Sequence, residues 1–142
     1  MPERKAEARW EGNLRQGQGI MRLGSGAFEG PFSFGTRFGD TPGTNPEELI
    51  GAAHAGCFSM ALAAGLEKDG YDPKQIRTDA RVQIDKVGEG FKITRIALKT
   101  EARVAGIDEK TFQRYAEATK KNCPVSQALA GTEIVLQAKL LS

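Results

Sequence analysis

Between Leu49 and Leu66 the chain runs for 18 residues without a formal charge. The residues just before it, Asn45-Pro46-Glu47-Glu48, form a helix start. Asn can cap, Pro suits the first helical position, and two glutamates place negative charge on the positive end of the helix dipole. A helix this long and uncharged can in principle cross a bilayer. Its filling, however, is Ala and Gly rather than Leu, Val and Phe, it holds His54 and Ser59, and acidic residues stand at both ends. Small side chains on every side suit a helix that other elements approach closely, so the stretch reads as a central core helix and not a membrane span. Its titratable side chains are His54 and Cys57, which means that a reactive group can be buried there.

The 142 residues are expected to form one domain, 1–142, long enough for a real core. A net charge of +2, with 27% charged residues of both signs interspersed and only 7% aromatics, gives no nucleic-acid footprint. The N-terminus, Met1 to Arg9, lacks the apolar core of a signal peptide, so a cytoplasmic location is expected. Two cysteines, Cys57 and Cys123, lie far apart in the chain. In a reducing compartment a permanent staple is disfavoured, leaving inert buried thiols or redox-active ones. Two Cys and one His fall short of the four protein ligands of a structural zinc site, and no metal or cofactor is called for.

The remaining pattern is mixed. Three short, glycine-broken strands are expected before residue 39, around Ala8–Glu11, Gly17–Leu23 and Phe32–Phe34. Arg37 then sits at the edge of a strand near the loop Gly39–Gly43, where a solvated surface arginine is the plain expectation. The helix should stop near Asp69-Gly70. Residues 76–85 alternate as a half-buried strand and Gly88-Glu89-Gly90 turns it back. The returning strand changes face between Ile93 and Ile96, which predicts a β-bulge around Thr94-Arg95. Asp108 can cap a helix from Glu109 to about Lys121, with Phe112, Tyr115, Ala116 and Thr119 on one face. Cys123-Pro124 breaks and restarts it, and residues 134–140 alternate as a last strand. The predicted order is βββ-α-ββ-αα-β, an α+β fold of antiparallel sheets around a central buried helix.

From the residues alone the choice of reactive thiol stays open. A free thiol with pKa near 8.5 is a few per cent ionised at neutral pH, and burial among apolar side chains raises that pKa further. Cys57 lies too deep in its helix for the terminal dipole to help, so its activation needs an imported cation. Cys123, at a helix start, has the easier position. His54 lies one turn before Cys57 and raises the thought of a Cys-His nucleophilic pair. With no third orienting residue evident, a core or interface histidine is the favoured reading.

The segments Gly43–Leu62 and Asn122–Leu129, together with Trp10-Glu11-Gly12, Thr36-Arg37-Phe38 and Ile93–Lys99, resemble the OsmC/Ohr family of thiol peroxidases, on its osmotically inducible branch. The resemblance covers nearly the whole chain. It implies that Cys57 is the peroxidatic cysteine, Cys123 the resolving one, and Arg37 and Glu47 the supporting pair, with Glu48 a neighbouring candidate. The Ohr branch places its arginine earlier, so Arg37 follows from the OsmC pattern only. Gly56 departs from the alanine expected before the cysteine. The resemblance further implies an OsmC-like fold and an intertwined homodimer with sites at the subunit interface. It also implies an organic hydroperoxide substrate and a dithiol reductant, with dihydrolipoyl groups of a lipoylated protein as the expectation.

On this reading Arg37 stabilises the Cys57 thiolate while Glu47 holds the guanidinium through a bidentate pair. The thiolate attacks the distal peroxide oxygen, and Cys123 condenses with the resulting sulfenic acid. An apolar lining from Phe38, Phe58 and Met60 would favour organic hydroperoxides. Glu47 and Cys57 are ten residues apart, about 15 Å along a straight helix, which suggests that the glutamate comes from a second chain or that Arg37 bridges only part of the gap. Two alternatives remain. One is a non-catalytic stress or small-molecule-binding protein with inert thiols. The other is a monothiol-glutaredoxin-like use of Cys123-Pro124-Val125-Ser126, disfavoured because only one strand follows that motif.

Overall fold

The computed structural model of the chain describes residues 2–141, which fall into two compact units, one ending at Leu49 and the other starting at Ile50. In the first, β1 (Ala6–Glu11), β2 (Gln18–Leu23) and β3 (Glu29–Phe32) form an antiparallel sheet in that order. Gly19 is obligatory in β2, because a Cβ there would stand 2.6 Å from the Phe32 ring and 2.5 Å from the Arg9 carbonyl oxygen.

Alternation predicted strand through Phe34, with Arg37 at a strand edge. The chain instead turns into a short helix, α1 (Phe34–Phe38). Ser33 is the reason: its hydroxyl accepts from the Thr36 N–H at 3.2 Å, and its own N–H donates to the Thr36 hydroxyl at 2.8 Å. This reciprocal capping box starts a helix in spite of the aromatic alternation around it. The element order therefore gains one helix, βββ-α-α-ββ-αα-β.

The long helix, α2 (Pro46–Lys68), begins as expected: Asn45 accepts from the Glu48 N–H at 2.7 Å, and Pro46 is the first helical residue. It ends just before Gly70, whose φ of +87° suits glycine. In the second unit β4 (Asp72–Val87) and β5 (Gly90–Ala105) make a long antiparallel hairpin. Gln83 faces Arg95 while Ile84 faces Ile93, so Thr94 is the extra residue of the predicted bulge. Its hydroxyl donates to the Asp85 carboxylate. The inward set thereby passes from Ile93 to Ile96.

Next come α3 (Glu109–Asn122), capped by Asp108 on the Thr111 N–H at 2.7 Å, and α4 (Pro124–Ala128). They carry the chain back so that the last strand, β6 (Glu133–Leu141), lies parallel to β5 rather than antiparallel as expected. Phe58, Leu62 and Leu66, spaced one turn apart on α2, pack with Ile96, Leu98, Ala102 and Val104 of β5 and Phe112 of α3. By length and composition α2 could cross a membrane, but this stripe does the work of a core helix. It is buried along one side only: Ala52, Gly56, Met60 and Ala64, also one turn apart, are exposed, with Met60 at 77%.

Candidate active site

Cys123 ends α3 and opens α4. Its N–H donates to the Thr119 carbonyl at 2.9 Å, completing α3. Pro124, with no N–H and a fixed φ, then prevents that helix from continuing and occupies the first position of the next. The Cys123 side chain is fully buried, and Cys57, inside α2, is partly buried. The two sulfurs stand 3.0 Å apart as free thiols in hydrogen-bond contact.

The Cys123 thiol donates to the Cys57 sulfur, and once Cys123 is ionised the Cys57 thiol becomes the donor to it. Burial pushes the Cys57 thiol up, and the hydrogen bond with Cys123 pushes it further. Burial acts on Cys123 in the same sense, but hydrogen bonds with Cys57, with the Ser126 N–H and hydroxyl, and with the Val125 N–H outweigh it and bring its pKa down. Within this unit the donors thus favour the charge on Cys123. This agrees with the helix-start argument made from the residues and leaves Cys57 in need of a cation.

His54, expected as a core or interface residue, is fully buried. Its Nε2 lies 2.7 Å from the Ser126 hydroxyl, so its polar contact is with α4 rather than with Cys57 as a nucleophilic pair would require. Burial holds its pKa below the ordinary histidine value, so the ring is neutral. Ser126 is the residue that sequence reasoning missed. It is visible in Asn122-Cys123-Pro124-Val125-Ser126, but nothing local links it to a histidine 72 positions away.

In the first unit, Arg37 projects from α1 and Glu47 from the first turn of α2. Arg37 Nε donates to Glu47 Oε1 at 2.9 Å and Nη2 to Oε2 at 2.8 Å. This is a fork-on-carboxylate pair, with Glu47 nearly buried and Arg37 37% exposed. Both residues belong to one chain, so Arg37 needs no second copy to find its carboxylate. Glu48 is exposed and accepts instead from the Thr44 hydroxyl at 3.1 Å. Asn45 ties the two elements together, its amide donating to the Thr36 carbonyl at 3.0 Å. Of the expected apolar lining, Phe58 is excluded because it is fully enclosed in the core, whereas Phe38 is half-buried and Met60 exposed.

Fold and site together define an α+β protein carrying a close pair of reduced thiols. A family model described as OsmC-like protein matches residues 38–139, which include Glu47, Cys57 and Cys123 and begin one residue after Arg37. The chain is 50% identical over 140 residues to peroxiredoxin OsmC of Escherichia coli (strain K12), covering 98% of this chain and 97% of that protein. It is 32% identical over 102 residues to the organic hydroperoxide resistance protein of Xanthomonas axonopodis pv. citri (strain 306), covering 71% and 68%. Among solved structures, an OsmC-like protein of unknown function from Vibrio cholerae superposes with a TM-score of 0.77 over 97% of this chain and 99% of that one. At 17% identity this is a likeness of fold. The chain belongs to the OsmC family.

Proposed function

We propose that this protein is a cysteine-based peroxidase that reduces organic hydroperoxides to alcohols through a Cys57 sulfenic acid and a Cys57–Cys123 disulfide. The observation that carries the proposal is the 3.0 Å approach of the two reduced sulfurs, since a disulfide needs the sulfurs within bonding reach and here they are already in contact. The family's curated members add weight, being named for peroxiredoxin activity and organic hydroperoxide resistance. Cys57 is the less buried of the two and so the one a peroxide can reach. Its raised pKa is the obstacle, and Arg37, held flat by Glu47, is the cation the resemblance assigns to it. A guanidinium beside the sulfur favours the thiolate and so opposes the upward push of burial.

In the cycle the Cys57 thiolate attacks the distal peroxide oxygen; the O–O bond breaks, the alkoxide leaves and is protonated to the alcohol, and Cys57 becomes a sulfenic acid. Cys123 displaces its hydroxyl to form the disulfide, and a dithiol, of which a lipoylated protein is one source, restores both thiols by exchange. A homodimer in the cytoplasm fits this reading, since the exposed row Ala52, Gly56, Met60 and Ala64 offers small residues for close approach by a second helix.

Stopped-flow oxidation of the reduced protein by cumene hydroperoxide and by hydrogen peroxide, beside Cys57→Ser and Cys123→Ser, tests the proposal. Fast reaction with the organic peroxide, lost in Cys57→Ser and retained for one turnover in Cys123→Ser, is expected. Equal slow rates in all three proteins would discard it in favour of a non-catalytic binding protein.

A further inference from the structure

His54 is a buried polar side chain that the cycle just described does not use. It belongs to α2, one turn before Cys57, and its Nε2 meets the Ser126 hydroxyl of α4 at 2.7 Å. Both residues are shut off from solvent. The other ring nitrogen, Nδ1, is buried and has no hydrogen-bond partner among the described residues. This asymmetry selects a tautomer. A proton on Nδ1 would be an orphaned buried N–H, which folded proteins almost never tolerate, whereas a bare nitrogen there is a milder loss. The proton therefore sits on Nε2, and His54 donates to Ser126. With its oxygen lone pair so occupied, Ser126 has its own proton free for another acceptor, and the adjacent acceptor is the Cys123 sulfur three residues earlier in the same helix start.

We propose that His54 is a positioning residue for the resolving thiol: its Nε2–H holds the Ser126 hydroxyl so that the hydroxyl proton is presented to the Cys123 sulfur. The proposal rests on the peroxidase reading for its purpose but not for its geometry. The Ser126 hydroxyl and N–H both lower the pKa of Cys123, as a hydrogen-bonded thiolate requires. The titratable group in direct contact with Cys123 is Cys57 of α2; Lys120 and Lys121, in the last turn of α3, are the nearest cations along the chain, and Lys120 is turned to Glu117 at 3.4 Å.

The step served is disulfide formation. The Cys123 thiolate, having given up its proton, supplies the electron pair of the new S–S bond to the sulfenic sulfur of Cys57. The S–O bond breaks, and hydroxide departs, taking up a proton to become water. Cys123 is oxidised and the sulfenic sulfur reduced, both to the disulfide level. A chain of two donors ending on the Cys123 sulfur raises the thiolate fraction available for this attack, and a neutral histidine can sustain it without becoming charged.

Two measurements test the assignment. The first is the pH dependence of thiolate absorbance near 240 nm in the Cys57→Ser protein, where Cys123 is the one remaining cysteine, with His54→Leu, Ser126→Ala, both together, and His54→Gln, whose amide can replace the Nε2 donor. Removing the donor should cut the thiolate fraction near neutral pH by roughly ten- to a hundredfold, the size expected of one charge-assisted hydrogen bond in a shielded site. His54→Gln should restore most of it, and the double variant should match Ser126→Ala alone, because the two groups act in series. Absorbance reads the thiol without peroxide and without a reagent that must enter the core, so a protein with this dependence but no turnover would sink the peroxidase reading and leave the present one standing. An unchanged pH profile in folded His54→Leu and Ser126→Ala proteins would overturn it. Should His54→Leu fail to fold, nitrogen-15 NMR of the unmodified protein decides: the Nε2–H tautomer is expected, and the Nδ1–H tautomer contradicts the proposal.

Discussion

Among the described residues, the buried hydrophobic cluster lies in the unit from Ile50 onward and takes no member from the one ending at Leu49. Every member of the buried cluster, from Phe58 through Ile96 and Phe112 to Cys123, lies in the second unit. The first has a three-stranded sheet whose β1 is exposed along its whole length, with Trp10, Leu14, Ile20 and Leu23 all more than a third open. Their polar equipment differs as well. The second unit holds neutral or near-neutral groups, with Cys123, Ser126 and a neutral His54 in burial and Cys57 partly buried beside them, whereas the first holds a formal ion pair at partial exposure. Burial costs thiols and hydroxyls little once they are hydrogen-bonded, but it costs an isolated charge a great deal. The core thus encloses Cys123 and leaves Cys57 partly open, and the arginine stands where water can reach it.

Truncation should expose this contrast most strongly. Phe112→Ala in the second unit is expected to cost about 3–5 kcal/mol in urea unfolding. Leu14→Ala, at 64% exposure in the first, should stay within about 0.5 kcal/mol. Equal losses would show that the first unit has apolar support of its own. Next in size is Glu47→Gln, which leaves Arg37 without its carboxylate. A loss of about 1.5 kcal/mol in stability is expected, at the low end for a charged hydrogen bond because Arg37 is over a third exposed. Peroxide oxidation of Cys57 should fall about tenfold, a similar energy, with Glu47→Asp intermediate. Asp108→Ala, removing the cap of α3, should cost about 1 kcal/mol.

The smallest effect belongs to Tyr115, whose hydroxyl donates to the Asp69 carboxylate, so that its pKa is pushed up to about 12. A raised folded-state pKa means the contact stabilises fully below the unfolded tyrosine value near 10 and is lost as pH rises from there through about 12. Absorbance titration should show one tyrosine ionising late, and Asp69→Asn should bring it back toward the ordinary value.

Legibility in the sequence followed the same division. Segments governed by long periodicity or by a cap were plain: the start of α2 at Asn45-Pro46, its end at Gly70, the Asp108 cap, and the bulge at Thr94 all rest on local rules. The α1 helix was not, because five residues give no period and the Ser33–Thr36 capping box lay inside an aromatic alternation that looked like strand. The parallel placement of β6 was equally hidden, since alternation reveals a strand's faces but not its direction. For the site, thiol chemistry alone favoured Cys123, and its lowered pKa agrees. Cys57 as the attacking group came only from likeness to a family. The ten-residue separation of Glu47 from Cys57 suggested a glutamate from a second chain or a partial bridge by Arg37; the pairing of Arg37 with Glu47 within one chain shows what holds the guanidinium and does not decide between the two. His54 with Ser126 is a tertiary pairing that no local pattern announces.

The central claim is that the contact between the two sulfurs is a redox pair and not two inert neighbours. Intact-mass and peptide mass spectrometry after one equivalent of cumene hydroperoxide tests it most directly. The account predicts quantitative loss of two hydrogens and a Cys57–Cys123 disulfide, with a trappable sulfenic acid on Cys57 in the Cys123→Ser protein. Two unmodified thiols after the peroxide has been offered, or a sulfenic acid on Cys123 in the Cys57→Ser protein at the same rate, would contradict it.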